Sequence, residues 1–239
     1  MIRYSSKYRT SRTEIMDDFN LQGVAMQELL NDLKRVNRML GGNAVTLNGI
    51  GRLLDGRLIN NTLTILDIGC GDGEMLRQCA EWAHKRGVSV HLIGIDANAH
   101  ILKEAEKRSE EIKNTTFKVM DVFAEKEILP EIDIALCTLF LHHFNEPRIE
   151  GLLNRLISKA KIGVVINDLH RNFWAFWLFR IYGLLFLKTR IARHDGLVSI
   201  ARGFKLKELE RISEKIKGVH QLKWKWAFRY QWIIRVINN

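Results

Sequence analysis

Proline and cysteine are scarce in this sequence, which has 2 prolines and 3 cysteines among 239 residues. So few prolines, together with 17 glycines, argue against a disordered or low-complexity chain. The cysteines Cys70, Cys79 and Cys137 are odd in number and lack the spacing of a metal site, which indicates reduced thiols. We therefore expect a cytoplasmic protein.

Long apolar runs are also lacking. The longest, Phe173–Leu187, is interrupted by Arg180 and is shorter than the ~20 residues that a transmembrane helix needs. The first residues have no apolar segment of signal-peptide form, which agrees with the expectation of a cytoplasmic protein.

Acidic residues are outnumbered, with 27 aspartates and glutamates against 37 lysines and arginines, for a net charge of +10. Such an excess favours nucleic acid or an anionic membrane as a partner. The basic residues are spread, however, and no run of five occurs. No separate RNA-binding module is evident, so we do not expect nucleic-acid binding.

From Asn61 onward, apolar strand-like runs alternate with helical segments, which is typical of βαβ units in a parallel sheet. The predicted strands are Thr62–Gly69, Val88–Asp96, Thr116–Asp121, Ile132–Cys137, Gly163–Leu169, His220–Phe228 and Tyr230–Ile237. The predicted helices are Glu74–Arg86, Ala99–Glu111, Pro147–Ala160 and Leu206–Ile216. The last two strands follow each other too closely to be parallel. The pattern predicts an α/β fold with a doubly wound, mostly parallel sheet that ends in an antiparallel β-hairpin.

The first part of the chain has helical periodicity, with one helix over Leu21–Leu40 and a second over Leu47–Leu54. We predict an N-terminal helical cap over residues 1–60 and a core over 61–239. The two form one structural unit, in which 170–204 is an aromatic lid or insertion.

A glycine-rich turn, Leu66–Gly73, follows the first predicted strand and precedes a helix. The dinucleotide fingerprint would place a third glycine where Glu74 stands, and acids at a helix N-terminus disfavour a pyrophosphate. Asp67, two residues before Gly69, suits a ligand with a cationic end. A tight turn without a ligand is the alternative.

Acids also stand at the ends of the next two strands. Asp96 follows the glycine turn at about the separation at which an acid meets ribose hydroxyls. Asp121 can accept from an adenine amino group while Val122 or Phe123 covers the ring. Each acid could instead be a helix cap or turn residue.

In this order and spacing, the turn and the acids resemble the class I S-adenosylmethionine-dependent methyltransferases over Thr62 to Leu169. The resemblance implies a seven-stranded Rossmann-like fold, S-adenosylmethionine as cofactor and S-adenosylhomocysteine as product. We expect no metal. The resemblance assigns the amino end of the cofactor to Asp67, the ribose to Asp96, the adenine to Asp121 and the region of the sulfonium to Thr138 or Leu139. The cofactor-binding residues that it implies are Asp67, Gly69, Cys70, Gly71, Gly73, Asp96, Ala97, Asp121, Val122, Thr138 and Leu139.

The segment Leu141–Phe144 is similar to that of the ubiquinone/menaquinone-type small-molecule methyltransferases. A hydroxyl acceptor needs a base, and histidine titrates near neutral pH. His143 or His142 is therefore a candidate base, and His194 is a third. Each imidazole could instead serve only in packing or in a turn. Two further polar clusters, Asn167–Arg171 and Arg193–Gly196, stand near the expected acceptor side.

The aromatic segment Phe173–Leu187 permits three interpretations. In the first, the segment is a helix that covers the sheet. In the second, it is a lid over an apolar acceptor. In the third, it makes peripheral membrane contact through 171–193, where basic residues flank it.

The predicted function is methyl transfer to a small hydrophobic or aromatic acceptor, at an oxygen of a phenolic, polyketide-like or quinone-like compound. An RNA methyltransferase and a non-catalytic S-adenosylmethionine-binding protein are the alternatives. The sequence does not specify the oligomeric state.

Overall fold

A seven-stranded sheet forms the centre of the molecule. The structure is a computed structural model that describes residues 2–59, 61–124 and 126–237. The strands lie in the order β3-β2-β1-β4-β5-β7-β6. They are β1 Leu63–Ile68, β2 Val90–Asp96, β3 Thr115–Val119, β4 Ile132–Thr138, β5 Ala160–Leu169, β6 Val219–Lys225 and β7 Arg229–Arg235.

The first five strands are parallel, and β7 pairs antiparallel with both β5 and β6. The chain adds β2 and β3 on one side of β1 and then returns to add β4 on the other side. Ligands of open α/β sheets bind at such a reversal, beyond the carboxyl ends of the strands. The predicted fold class is confirmed.

Helices cover both faces of the sheet. They are α1 Gly23–Met39, α2 Gly42–Leu54, α3 Glu74–His84, α4 Ala99–Arg108, α5 Glu146–Lys159, α6 Phe173–Phe186, α7 Arg190–Arg202 and α8 Leu206–Ser213. Within the predicted insertion at 170–204, the structure shows two helices, α6 and α7, which contact each other.

The α2 helix, which lies within the predicted N-terminal cap, packs directly on the sheet. Ile50 and Leu53 are fully buried in one cluster with Ile65 of β1. Gly49 allows this close approach, because a Cβ there would lie 2.5 Å from Cγ1 of Val165. The boundary proposed at residue 60 stays a prediction.

The segment before α1 runs along the site end of the molecule. Arg9 donates to the carbonyl oxygens of Phe144 at 2.8 Å and Arg202 at 2.7 Å. A 3₁₀ turn over Ile15–Asp17 is held by Asp195, which accepts from two of its backbone N–H groups. In the three described ranges, no helix is both long enough and apolar enough to span a bilayer.

Candidate active site

A cavity of about 900 Å³ lies at the carboxyl ends of β1, β2 and β4. Its walls come from the loops after these strands, from α1, α6 and α7, and from the segment around the 3₁₀ turn. The lining includes these predicted cofactor residues: Asp67, Gly69, Cys70, Gly71, Asp96, Ala97, Asp121, Val122, Thr138 and Leu139. The strand reversal therefore brings together residues that are far apart in the sequence.

The glycine turn needs residues without a side chain. Gly69 has φ of +67°, and a Cβ there would lie 2.2 Å from a ring carbon of Phe140. Gly71 has φ of +54°, but its Cβ position is open, with only Ile101 near, at 3.8 Å. Gly73 does not line the cavity. Gly73 is the residue just before α3 and has a left-handed backbone with φ of +75°. Its position in the structure is therefore that of a turn residue.

Asp96 ends β2 and shapes the turn as well as the cavity. One carboxylate oxygen accepts from the Gly71 N–H at 3.0 Å and the other from the Asn98 N–H at 2.9 Å. Burial raises its pKa, and these backbone hydrogen bonds oppose the change.

Asp67 is the clearest sign of a ligand in this cavity. It is 2% exposed, and its Oδ1 has no hydrogen-bond partner among the described residues. Burial, with a smaller contribution from the charge of Asp96, raises its pKa to about 8. A buried carboxylate is costly unless it is paired, so a cationic group bound in the cavity would stabilise its charged form. The amino end of S-adenosylmethionine fits this requirement.

Two acids at the start of α3, Asp72 and Glu74, form ion pairs with basic side chains of the protein. Asp72 accepts from Arg77 at 3.1 Å and forms an ion pair with Arg108 at 2.9 Å. Glu74 is 2.9 Å from Arg77 and 3.5 Å from Lys34. Arginines from α3 and α4 therefore offset the negative charge at this helix start.

The remaining predicted cofactor residues lie around the same cavity. Cys70 is buried, and burial raises the pKa of its thiol, which disfavours the nucleophilic thiolate. Asp121 accepts from the Phe123 N–H at 2.9 Å. Thr138 is hydrogen-bonded to Thr46 at 3.0 Å, and Leu139 has a left-handed backbone with φ of +54°. A positive φ strains the backbone of a residue other than glycine, and strain of this kind is common at functional sites.

His142 is buried between two carboxylates at the edge of the cavity. Its Nδ1 is 2.8 Å from Asp168, and its Nε2 is 3.2 Å from Glu14. Burial alone would lower its pKa, but the two carboxylates raise it to about 9. A pKa of about 9 favours a charged His142 at neutral pH, so His143 is the better candidate base, while His142 stays a prediction.

His143 has a different environment, although it is the next residue. Like His142 it lines the cavity, but its side chain is part-exposed, and its Nδ1 is 3.2 Å from Asp17. Its Nε2 is 3.9 Å from Glu14, which is beyond hydrogen-bonding distance. A carboxylate thus orients one ring nitrogen while the other is left for an acceptor.

His194 lies elsewhere. It lines a separate small cavity beside Phe176 and Leu197, and its Nδ1 is 2.8 Å from Asp195. The structure does not bring it to the large cavity. The carboxylates that orient the histidines, Glu14 and Asp17, were not identified from the sequence. They are separated from His142 and His143 by 128 and 126 residues, and no local pattern links them.

Glu14, His142 and His143 could also hold a cation. One ligand atom from each lies within 4.8 Å of the others. Asp168 would orient His142 from behind, as a carboxylate often does for a metal-binding histidine. The expectation that the enzyme needs no metal stays a prediction.

The comparisons with known proteins agree with this geometry. Residues 65–163 match the family model described as a methyltransferase domain. These residues carry a methyltransferase domain. Enzymes of this class take their methyl group from S-adenosylmethionine, so the expected enzyme class and cofactor are confirmed. The more specific assignment to the ubiquinone/menaquinone branch stays a prediction.

Several solved structures share the fold. The plantazolicin methyltransferase BpumL, in complex with a pentazolic desmethylPZN analog and SAH, has a TM-score of 0.63 at 15% identity, over 89% of this chain and 95% of that one. The CMeT domain of the citrinin polyketide synthase has a TM-score of 0.57 at 14% identity, over 78% and 50%. A protein of Nostoc punctiforme, provisionally described as an O-methyltransferase, has a TM-score of 0.55 at 21% identity, over 82% and 56%. A comparison with curated protein sequences gave no match.

Proposed function

We propose that this methyltransferase transfers a methyl group to a hydroxyl oxygen of a small hydrophobic, aromatic acceptor such as a phenolic, polyketide-like or quinone-like compound. The observation that carries the proposal is one cavity with two unlike ends. Acids and the glycine turn line it on one side, and apolar side chains of α6 and α7 line it on the other. His143, which Asp17 orients, lines the same cavity.

The cofactor is assigned to the end with the acids. Asp67 would hold the amino group, because its Oδ1 lacks a partner among the described residues. Asp96 would accept from the ribose hydroxyls, and Gly71 leaves the space beside it open. Asp121, with Val122, would contact the adenine. When bound, S-adenosylmethionine supplies a methyl group activated by a positively charged sulfur.

The acceptor is assigned to the end formed by α6, α7 and the 3₁₀ turn. Phe179, Tyr182 and Ile200 line it. These side chains favour an apolar or aromatic compound over a charged one. The polyketide synthase domain and the plantazolicin enzyme among the similar structures are compatible with such an acceptor.

His143 would remove the proton of the acceptor hydroxyl. Asp17 orients its ring through Nδ1, so that Nε2 can accept the proton. His142 would remain charged and hold Glu14, and thereby the 3₁₀ turn, against the site. Most of the rate acceleration would come from positioning the two reactants. A cytoplasmic location stays part of this proposal.

Calorimetry with matched variants tests the cofactor assignment. Asp96→Ala and Gly71→Val should each weaken binding of S-adenosylmethionine by about a hundredfold or more, because they remove a ribose acceptor or fill the open space. Asp133→Ala is the control. Asp133 also accepts from a backbone N–H, that of Thr64 at 2.7 Å, but it lies at the amino end of β4. Unchanged binding in Asp96→Ala and Gly71→Val would overturn the assignment.

Release of S-adenosylhomocysteine with different acceptors distinguishes this proposal from an RNA methyltransferase and from a non-catalytic binding protein. Release of S-adenosylhomocysteine with phenols supports the proposal. Release with RNA alone would favour an RNA methyltransferase. Binding of S-adenosylmethionine without release in the presence of any acceptor would favour a non-catalytic binding protein.

A further inference from the structure

The α6 helix exposes its more apolar side to solvent. We define the α6 face as the exposed apolar side chains of this helix. They are Phe173, Trp174, Trp177, Leu178, Ile181, Leu184, Leu185 and Phe186. Their spacing of three and four residues makes one continuous stripe along the helix. The side that is buried carries Ala175, Phe176 and Gly183, so burial in the core does not account for this stripe.

The exposed stripe continues beyond α6. Trp226, in the turn between β6 and β7, is 67% exposed, and its ring is 5.7 Å from that of Phe228. Phe228 packs in one cluster with Phe176. Met39, at the end of α1, is exposed and accepts from the hydroxyl of Tyr182. A contiguous apolar surface of this kind marks an interaction site.

The charges around the α6 face are positive. No aspartate or glutamate occurs between Leu169 and His194. Lys188 and Arg190 follow the helix and are exposed, and Arg180 stacks over Trp177 with 5.0 Å to the ring centroid.

Helix α1 adds further positive charge. Arg35 donates to the carbonyl oxygen of Phe186 at 2.8 Å, which places this exposed part of α1, including Arg38, beside the end of α6. Arg35, Arg38, Arg180, Lys188 and Arg190 make no ion pair within the described ranges. The nearby acid, Asp32, is buried and accepts from the backbone N–H groups of Lys188 and Thr189.

We propose that the α6 face docks on an anionic lipid surface and receives the apolar acceptor from it. A helix with aromatic and leucine residues on one stripe and basic residues at its edges lies in the plane of a membrane interface. Anionic headgroups would balance the basic residues. A second copy of this chain is disfavoured as the occupant, because a two-fold pairing of α6 with itself would bring Arg180, near the middle of the helix, close to its own copy.

The cavity is continuous with this face. Leu178 is 50% exposed and also lines the cavity, as does Trp226. Phe179 and Tyr182, on the inner side of the same helix, line the acceptor end. A lipid-soluble acceptor could therefore pass from the bilayer to the site along apolar side chains. This inference rests on the proposed function.

Vesicle flotation with the full chain tests the proposal, without cofactor or acceptor. The protein should bind vesicles of equal parts phosphatidylcholine and phosphatidylglycerol, and bind vesicles of phosphatidylcholine alone about tenfold or more weakly. The double substitution Leu184→Glu and Leu185→Glu should weaken binding to the anionic vesicles by about a hundredfold. The double substitution Leu58→Glu and Ile128→Glu is the control. Both residues are highly exposed, at 91% and 78%, but lie in loops that lead to the amino ends of β1 and β4.

Three results would overturn the proposal. They are no binding to either vesicle, equal binding to both, and equal binding by the Leu184→Glu/Leu185→Glu variant and the control. A dimer in sedimentation velocity that this variant alone dissociates, without vesicle binding, would assign the face to a second copy instead. Binding of S-adenosylmethionine by the same variant, measured by calorimetry, should be unchanged. Failure of the membrane proposal is thereby distinguished from failure of the proposed function.

Discussion

The two ends of the cavity that we propose for the cofactor and for the acceptor are built in different ways. At the cofactor end, short loops after β1 and β2 supply the glycine turn and the acids, and backbone hydrogen bonds fix Asp96. At the acceptor end, α6, α7 and a 3₁₀ turn from distant parts of the chain are joined by side-chain contacts such as that between His142 and Glu14. The sheet therefore positions the first end directly, whereas the second depends on a few buried polar interactions.

Two neighbouring histidines show the same contrast on a smaller scale. Both line the cavity, but His142 is buried between two carboxylates, whereas His143 is part-exposed and leaves its Nε2 without a hydrogen bond to a carboxylate. The two rings lie side by side, with centroids 4.3 Å apart, but only that of His142 reaches Asp168 of β5 as well as Glu14. Substitutions at the two positions should therefore affect different properties of the enzyme.

The largest expected effect is on turnover at the acceptor end. His143→Ala should lower kcat with a phenolic acceptor by about 10²–10⁴-fold, because the acceptor loses its base. Binding of S-adenosylmethionine should be unchanged by calorimetry. His194→Ala is the matched control, since His194 lines the other cavity, and it should keep kcat within about twofold. Equal losses in the two variants would remove the distinction between these histidines.

The next effect is on stability. His142→Ala should lower the free energy of unfolding by about 3–5 kcal/mol, because it leaves Glu14 and Asp168 buried without their cation. Guanidinium denaturation at pH 7 measures this. His84→Ala, at an exposed site on α3, should change it by less than about 0.5 kcal/mol.

The contribution of His142 should also depend on pH. Its pKa is about 9 in the folded protein, against an ordinary histidine value of 6.5 for the unfolded chain. A raised folded pKa means that the stabilisation is fully present below the unfolded pKa and is lost as pH rises through about 9. The difference in stability between the wild type and His142→Ala should therefore be smaller at pH 10 than at pH 7. A difference that grows with pH would contradict the assigned charge.

A smaller effect, the release of a proton on cofactor binding, is expected from Asp67. With a pKa of about 8, its carboxyl is mostly protonated at pH 7 when no ligand is bound. A bound ammonium group would lower that pKa, so binding of S-adenosylmethionine at pH 7 should release close to one proton. Calorimetry in two buffers of different ionisation enthalpy measures the release. Asp67→Asn should abolish it, and proton uptake in the wild type would contradict the role of Asp67.

The smallest expected effect concerns metal. Treatment with EDTA should leave the rate of methyl transfer unchanged, because His143 and Asp17 supply the base. A loss of activity that Mg²⁺ or Zn²⁺ restores would instead indicate that Glu14, His142 and His143 bind a cation.

The two ends also differ in how far the sequence predicts them. The strands, the glycine turn and Asp96 have local signals, because apolar alternation and glycine reflect backbone conformation over a few residues. Glu14 and Asp17 have no such signal, since their partners lie more than 120 residues away in the chain. The pairing of Asp72 with Arg108 was also missed, because it depends on how α4 packs beside α3. The aromatic segment was identified from composition, but only the structure shows which side of α6 is exposed.

Release of S-adenosylhomocysteine from the wild-type enzyme, supplied with S-adenosylmethionine and a panel of hydrophobic phenols, tests the central claim most directly. Each phenol is paired with its own methyl ether, which has the same ring but no free hydroxyl. We predict release with one or more phenols and none with the corresponding ethers. Equal release with a phenol and its ether, or release with neither across the panel, would contradict methyl transfer to a hydroxyl at this site.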